Sequence, residues 1–222
     1  MPNRLFAIGD IHGCFDPLQE LVENHIRLSK SDTLVLLGDY SDRGPKVKEV
    51  IDYILELRKT GYNVITLKGN HEDMLLNALD NKRHLPVWLF NGGDKTLESF
   101  GVRGVENIGP EYLEFFRNLR YYYTDGNYIF VHAGFNNNAL DPFHDKYNML
   151  WECRSSYSHP QLKDKIIVHG HCVITAQEFE KQMSGKPQVI RADTGCVYKE
   201  HPGYGNLAAI ELHSGKSFLA KC

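Results

Sequence analysis

The sequence predicts an α/β fold around a buried parallel sheet, because a strand, a polar turn and a helix follow one another three times. The strands are expected at 4–9, 33–38 and 63–69, where apolar runs end in Gly-Asp, Gly-Asp and Gly-Asn. Such repeats produce parallel strands whose carboxyl ends share one edge of the sheet. Because ligands of these sheets bind outside that edge, we expect the three turns to converge on one site.

The helices of these units have recognisable beginnings and ends. The first is expected from about Asp16, where Asp-Pro-x-Gln supplies an N-cap, a proline at the first helical position and a capping-box glutamine. The second is expected from about Pro45, with apolar residues at helical spacing until Gly61 ends it. Residues 72–120 are expected to be mostly helical and to form a layer beside the sheet.

The second half of the chain predicts a further sheet. Apolar and aromatic runs lie at 121–134, 165–171 and 188–195, and a closing hairpin is expected around 213–216. We assign the hairpin to this second sheet and expect the sheet to be more antiparallel than the first. The length suits one domain over 1–222, with a core large enough to support a cleft.

Composition excludes several classes of protein. The net charge is -3, with 42% hydrophobic and 24% charged residues, which is typical of an ordinary globular protein. No Lys/Arg run is present, so extended nucleic-acid binding is not expected. The N-terminus lacks a signal-peptide pattern and no run approaches eighteen apolar residues. We therefore expect a cytoplasmic protein with no membrane contact and no obligate partner.

The cysteines indicate neither a disulfide framework nor a structural zinc site. They are odd in number, widely spaced and without a C-x-x-C pair, which disfavours both. We expect all of them to be reduced thiols: Cys14, Cys153, Cys172, Cys196 and Cys222.

Five predicted strand ends carry side chains of the kind that bind hard or borderline metal ions. They are Asp10 with His12, Asp39 with Asp42, Asn70 with His71, His132, and His169 with His171. One such motif is commonly a simple turn, but five together indicate a functional site. Oxygen and imidazole ligands suit Mn, Fe, Zn or Mg, and two ions are needed to use all of these ligands.

In their order and spacing, these motifs resemble the phosphoprotein phosphatase family of calcineurin-like metallophosphoesterases. The matching blocks are Gly-Asp-Ile-His-Gly at 9–13, Gly-Asp-Tyr-Ser-Asp-Arg-Gly at 38–44, Gly-Asn-His-Glu at 69–72, His-Ala-Gly at 132–134 and His-Gly-His at 169–171. The segments 88–100 and 193–198 resemble the bacterial branch of that family. The resemblance implies a two-sheet β-sandwich flanked by helices, with two divalent metal ions at the strand ends.

The resemblance also implies six metal ligands and a reaction. Asp39 would bridge the two ions, with Asp10 and His12 on the first, and with Asn70, His132 and His171 on the second. Manganese is the ion expected in vitro, and Fe, Zn or Mg would also suit the ligands. A water held between the two metals would then attack phosphorus directly, without a covalent phosphoenzyme.

Four further residues receive roles from the resemblance. His71 would be the general acid that protonates the leaving oxygen, and Asp42 would orient it. Arg43 would grip the phosphate with its planar fork. The family's second arginine usually stands where this chain has Cys153, so Arg154 is the candidate unless that phosphate contact is weaker here.

The predicted function is that of a serine/threonine protein phosphatase, acting on phosphorylated proteins or peptides and also on small phosphoesters. The alternative is a symmetrical dinucleoside-polyphosphate hydrolase, such as one for diadenosine tetraphosphate, which shares nearly the same motifs. That branch tends to lack an Asp-Arg pair in its second block and to have Asp after Gly-Asn-His, whereas this chain has Asp42, Arg43 and Glu72. A third reading is an inactive phosphate-binding scaffold, which would be expected to lose ligands or the acid.

Overall fold

Two mixed β-sheets form the centre of the computed structural model, which describes residues 3–182, 184–185 and 187–222. The strands are β1 Leu5–Ile8, β2 Thr33–Leu36, β3 Asn63–Thr66, β4 Tyr122–Asp125, β5 Tyr128–Val131, β6 Ile166–His169, β7 Val189–Arg191, β8 Asn206–Glu211 and β9 Lys216–Lys221. One sheet has the order β3-β2-β1-β8-β9 and the other has the order β4-β5-β6-β7. The predicted two-sheet fold is confirmed.

The side chains between the two sheets form one apolar core, and those on the outer face of the first sheet form another. Along β1, Leu5 and Ala7 pack with Phe130 and other residues of the second sheet. Phe6 and Ile8, which point to the opposite face, pack with the helices. This alternation follows from the two-residue period of a strand, and it explains why β1 is buried on both faces.

In the part of the chain that the structure describes, eight α-helices flank the sheets. They are α1 Phe15–Glu20, α2 Val47–Lys59, α3 Asn70–Asp80, α4 Leu85–Trp88, α5 Asp94–Phe100, α6 Pro110–Arg117, α7 Lys146–Trp151 and α8 Ala176–Gln182. Short 3-10 and π-helical turns extend or join several of them, so the prediction of a mostly helical segment over 72–120 is confirmed. Helix α2 buries Val50, Ile51 and Ile54 against the first sheet.

The closing hairpin belongs to the first sheet, so its predicted place in the second sheet is wrong. Strand β8 pairs antiparallel with β1, with Ile210 opposite Ala7. The second sheet is also less antiparallel than expected, because β5, β6 and β7 are parallel and β4 alone runs against its neighbour. The sequence pattern of a strand indicates which of its faces is buried but not which strand will pair with it. In the fold, β8 pairs with the edge of β1 that β2 leaves free.

Four of the five cysteines form disulfides, so the prediction of reduced thiols is wrong for these four. Cys153 bonds to Cys172 and Cys196 bonds to Cys222, with Cα atoms 6.0 and 5.8 Å apart. Cys14 keeps a free thiol. The partners are 19 and 26 residues apart, so only the tertiary fold brings them together.

Within the described ranges, none of the helices is both long enough and apolar enough to cross a bilayer. A cytoplasmic location remains a prediction, as does the single domain over 1–222.

Candidate metal centre

The predicted ligands meet at the carboxyl ends of five strands from both sheets. His12, Asp39 and His71 offer ligand atoms within 4.8 Å of one another, and so do Asp39, His132 and His171. Asp39 belongs to both groups. The remaining two ligands adjoin them: the Asn70 side chain lies against His132, and Asp10 accepts hydrogen bonds from the backbone N–H of His171.

Asp39 lies between the two groups of ligands with one carboxylate oxygen toward each. Its Oδ2 is 3.5 Å from Nε2 of His12, and its Oδ1 is 3.5 Å from Nε2 of His132. The surrounding histidines outweigh the cost of burial and hold the pKa of Asp39 below its usual range. The carboxylate is therefore ionised and faces both ways, which is the geometry that a bridging ligand requires.

The hydrogen bonds of the histidines fix their tautomers. Nδ1 of His12 lies 2.9 Å from the carbonyl oxygen of Ser41, and Nδ1 of His132 lies 2.9 Å from that of Leu37. A carbonyl only accepts, so each Nδ1 carries the proton and each Nε2 keeps its lone pair. Burial lowers the pKa of His132 and lowers the pKa of His12 to about 3, which favours the form of each ring that can bind a metal ion.

His132 and Asn70 present their side-chain tips to each other. Nε2 of His132 is 3.0 Å from Oδ1 of Asn70. Both are atoms of the kind that bind a divalent metal ion. At the other group, Nε2 of His12 faces the Arg43 guanidinium at 2.9 Å.

Three buried carboxylates lie close together at the site, and their combined charge favours bound cations. Burial and the charge of Asp193 raise the pKa of Asp10 well above its usual value, and Asp39 contributes to the same shift. Asp193 has its own pKa raised to about 6, chiefly by burial. The donor set and its unbalanced charge therefore fit two divalent cations. Sequence reasoning did not assign Asp193, although it lies at the end of a strand in a segment that resembles the family.

The backbone of the site is strained where the ligands lie. Among the described residues other than glycine, six have a positive φ, and five of these are His12, Asp39, Asp42, Arg43 and His171. A side chain in the left-handed region costs about 1–3 kcal/mol, and such strain persists where the surrounding contacts hold it. Its concentration at the predicted ligands supports a functional site.

Two glycines let the backbone approach the ligand carboxylates. A Cβ added at Gly69 would overlap the carboxylate of Asp39, and one added at Gly170 would overlap that of Asp10. The glycines in the blocks Gly-Asn-His and His-Gly-His are therefore required by contacts with the ligands.

Glu72 holds two of the ligand turns together, a role that the sequence did not reveal. Its carboxylate accepts from the backbone N–H groups of Asp39 at 2.9 Å, Tyr40 at 2.9 Å, Ser41 at 3.0 Å and Gly69 at 3.0 Å. It also accepts from the hydroxyl of Ser41 at 2.7 Å. Burial raises the pKa of Glu72 to about 7. Glu72 lies in the first turn of α3, which begins at Asn70.

His71 and Asp42 form the predicted carboxylate–imidazole pair. Nδ1 of His71 lies 2.7 Å from Oδ2 of Asp42, and Nε2 faces Asp39 at 4.0 Å. Burial opposes the charging of His71, but Asp39 and Asp42 outweigh burial and raise its pKa above the usual value. Asp42 also accepts from Oγ1 of Thr96 at 2.6 Å and from Nε1 of Trp88 at 3.0 Å. These two residues lie in the segment 88–100, but their role was not predicted.

The two predicted phosphate-binding arginines lie in different surroundings. Arg43 is at the centre of the site, beside His12 and 5.8 Å from the ring centre of Tyr198. Arg154 pairs with Glu152 at 2.9 Å and lines a cavity of 220 Å³ with Arg191 and the Cys153–Cys172 disulfide. The described contacts of Arg154 do not reach the metal ligands, and its phosphate-binding role remains a prediction.

Several curated proteins are similar to this chain. It is 36% identical over 129 residues to a symmetrical bis(5'-nucleosyl)-tetraphosphatase of Dechloromonas aromatica, covering 58% of the chain and 43% of the relative. It is 25% identical over 218 residues to an asymmetrical bis(5'-nucleosyl)-tetraphosphatase of Anoxybacillus flavithermus, covering 86% and 85%. It is 36% identical over 92 residues to serine/threonine-protein phosphatase 1 of Salmonella typhimurium, covering 41% and 40%. The match spans less than half the length of the symmetrical hydrolase.

Solved structures share the fold over nearly the whole chain. A protein provisionally described as a diadenosine tetraphosphatase superposes with a TM-score of 0.66 at 21% identity, covering 100% of this chain and 96% of that one. A serine/threonine phosphatase from Saccharomyces cerevisiae superposes with a TM-score of 0.69 at 16% identity, covering 99% and 80%. At these identities, the likeness concerns the fold alone.

The family model for the calcineurin-like phosphoesterases matches residues 4–198. This range includes all six predicted metal ligands and the His71–Asp42 pair, and the family implies a dinuclear centre of divalent metal ions. The chain therefore belongs to the calcineurin-like metallophosphoesterase family.

Proposed function

We propose that this metallophosphoesterase hydrolyses dinucleoside polyphosphates such as diadenosine tetraphosphate. The observation that carries the proposal is the 25% identity to an asymmetrical bis(5'-nucleosyl)-tetraphosphatase over 86% of this chain and 85% of that protein. Symmetrical bis(5'-nucleosyl)-tetraphosphatases are also similar to this chain, at 32–36% identity over shorter ranges. This substrate class is the alternative of the sequence analysis and now ranks above the protein phosphatase.

Glu72 does not favour a protein phosphatase, because its side chain is committed to the backbone of the site. Glu72, which was weighed against the Asp common in dinucleoside-polyphosphate hydrolases, accepts hydrogen bonds from the backbone of two turns. It is fully buried. A residue that braces the backbone in this way cannot select the substrate by contact.

The residues of the site supply binding, positioning and proton transfer. The six ligands would hold two divalent cations: Asp10, His12, Asp39, Asn70, His132 and His171. When bound, such cations polarise phosphate oxygens and supply an activated water for in-line attack at phosphorus. Arg43 binds two phosphate oxygens through its planar guanidinium. Asp42 holds Nδ1–H of His71, so Nε2 is the atom that delivers a proton to the leaving oxygen.

A serine/threonine protein phosphatase is the second candidate, and the His71–Asp42 pair favours it. The alkoxide that leaves from phosphoserine or phosphothreonine is strongly basic and needs a proton, whereas a nucleoside polyphosphate leaves as a weak base. A buried acid held by a carboxylate, a tryptophan and a threonine suits the more demanding reaction. The complete set of ligands and acid argues against an inactive scaffold.

The two candidates are separated by supplying both substrates to one preparation. The manganese-loaded protein is incubated with diadenosine tetraphosphate and, in parallel, with a phosphothreonine peptide, and the products are resolved by anion-exchange chromatography. We expect faster cleavage of the dinucleotide. Two adenosine diphosphates indicate symmetrical cleavage, and adenosine triphosphate with adenosine monophosphate indicates asymmetrical cleavage. Faster release of phosphate from the peptide would overturn the proposal, and the Asp39→Asn variant controls for contaminating hydrolases.

A further inference from the structure

A cavity of 280 Å³, here called the basic pocket, opens beside the metal centre. Its walls come from residues 13–17, 43–46 and 196–199, together with Cys222. These segments are the turn that follows β1, the turn that follows β2 and the loop that follows β7. Two of them also carry ligands or Arg43, so the pocket and the metal centre share the same turns.

Arg43 connects the pocket to the reaction centre. Its side chain lines the pocket, and its Nη1 lies 2.9 Å from Nε2 of His12. A phosphate bound by this guanidinium at the metal centre would therefore lie at one end of the basic pocket. Whatever the substrate carries beyond that phosphate can enter the pocket.

The charge of the lining favours an anion. Arg43, Lys46 and Lys199 are cationic and Asp16 is the opposing carboxylate, in a protein whose net charge is -3. Lys46 pairs with Asp16 at 2.7 Å. Lys199 is exposed, and among the described residues it has no ion-pair partner. The local excess of positive charge is therefore concentrated at Arg43 and Lys199.

The rest of the lining is apolar. Pro17, Pro45 and Val197 contribute, with the Cys196–Cys222 disulfide as part of one wall. The volume lies just below the range of about 300–1,000 Å³ that is usual for small-molecule sites. A cavity of this size, lined by both cationic and apolar side chains, fits part of a nucleotide better than it fits an extended peptide.

We infer that the basic pocket binds the leaving nucleotide of the substrate, with Lys199 and Arg43 on its phosphate chain and the apolar wall against its nucleoside. The choice of ligand rests on the proposed function. The inference goes beyond that function by assigning substrate selection to the pocket, and Lys199 to the recognition of phosphates that are not attacked.

The experiment compares Lys199→Glu, Lys199→Ala and Lys199→Arg with Lys163→Ala, which removes an exposed lysine that lines a separate cavity. Each manganese-loaded protein is assayed with diadenosine tetraphosphate and with p-nitrophenyl phosphate, which has no phosphate chain. Adenosine diphosphate is titrated as an inhibitor of p-nitrophenyl phosphate hydrolysis. Because Lys199 is exposed, its replacement should leave the fold intact, and circular dichroism checks this.

In Lys199→Ala we expect kcat/KM for the dinucleotide to fall by a factor about tenfold larger than the factor for p-nitrophenyl phosphate. In Lys199→Glu the difference between the two substrates should be larger still. The inhibition constant of adenosine diphosphate should rise by a similar factor. Lys199→Arg should restore most of the selectivity, and Lys163→Ala should behave as the unmodified protein.

The outcomes separate this inference from the proposed function. If the unmodified protein cleaves the dinucleotide but the Lys199 variants lose no more than Lys163→Ala, the pocket assignment is overturned and the proposed function stands. If the protein hydrolyses only p-nitrophenyl phosphate, yet Lys199→Glu weakens inhibition by adenosine diphosphate, the proposed function fails and the nucleotide pocket stands. If the inhibition constant of adenosine diphosphate is the same in every Lys199 variant as in the unmodified protein, the pocket assignment is overturned, whichever substrate the protein hydrolyses.

Discussion

The ligand turns of the first sheet and the segment 152–158 differ in how firmly their backbone is held. The turn that contains Asp39 gives three backbone hydrogen bonds and one hydroxyl hydrogen bond to Glu72, which also accepts from the backbone of Gly69, and all of these bonds are buried. The segment that contains Arg154 has no helix or strand, and a disulfide to Cys172 ties it to the rest of the chain. Where such a network fixes the backbone, a residue in the matching position can take the role that the family resemblance implies. Where the backbone lacks such a network, as around Arg154, a matching position does not establish the role.

This contrast orders the effects expected from substitution. Residues held by the buried network should give large and specific losses, whereas residues of the segment 152–158 should give small ones.

Replacement of Asp39 by Asn should have the largest effect. An amide offers one oxygen, so it cannot face His12 and His132 with an oxygen each, as the carboxylate does. We expect activity to disappear and the metal content to fall from about two ions per chain. Inductively coupled plasma mass spectrometry and p-nitrophenyl phosphate turnover measure the two effects. Retained metal with normal turnover would contradict the bridging role.

His71→Asn should follow, with an effect that depends on the leaving group. Loss of the acid should lower hydrolysis of an alkyl phosphate by roughly 100-fold, and should lower hydrolysis of p-nitrophenyl phosphate less, because nitrophenolate hardly needs a proton. The readout is kcat for both substrates at saturating manganese. Equal losses on the two would exclude His71 as the proton donor.

The brace between the turns is tested by Glu72→Gln. The glutamine side chain replaces one acceptor oxygen with an NH₂ donor that faces backbone N–H groups, which should cost about 1–3 kcal/mol of stability. Urea unfolding measures the loss, and activity should fall because the Asp39 turn loosens. Glu72→Asp keeps both oxygens and should be milder. If Glu72→Gln unfolds at the same urea concentration as the unmodified protein, the bracing role is wrong.

Arg154→Ala should have the smallest effect. Since the Arg154–Glu152 pair is about one-third exposed, with 35% and 28% exposure, its loss should change p-nitrophenyl phosphate turnover by less than about threefold. The matched change, Arg43→Ala, should lower kcat/KM by about 10–100-fold because it removes a charged phosphate contact. Similar losses for the two variants would mean that Arg154 reaches the phosphate after all, and the comparison between the two regions would need revision.

The sequence by itself determined the strand-turn-helix units and, through the family resemblance, six candidate metal ligands. Each unit is local: an apolar run, a Gly-Asp or Gly-Asn turn and a helix start within about ten residues of one another. Because parallel strands share one edge, the ligands of separate units had to meet there. The structure brings the six candidate ligands together or places them next to one another, and their binding of metal ions stays a prediction.

Tertiary structure decided the features that depend on contacts between distant segments. No local pattern connects the residues that these features join. The features are the pairing of the last hairpin with β1, the two disulfides, and the hydrogen bonds of Trp88 and Thr96 to Asp42. The surroundings of Arg154 are of the same kind. Local periodicity reports which face of a segment is buried, whereas the choice of neighbour depends on the packing energy of the whole chain, and only the folded structure expresses it.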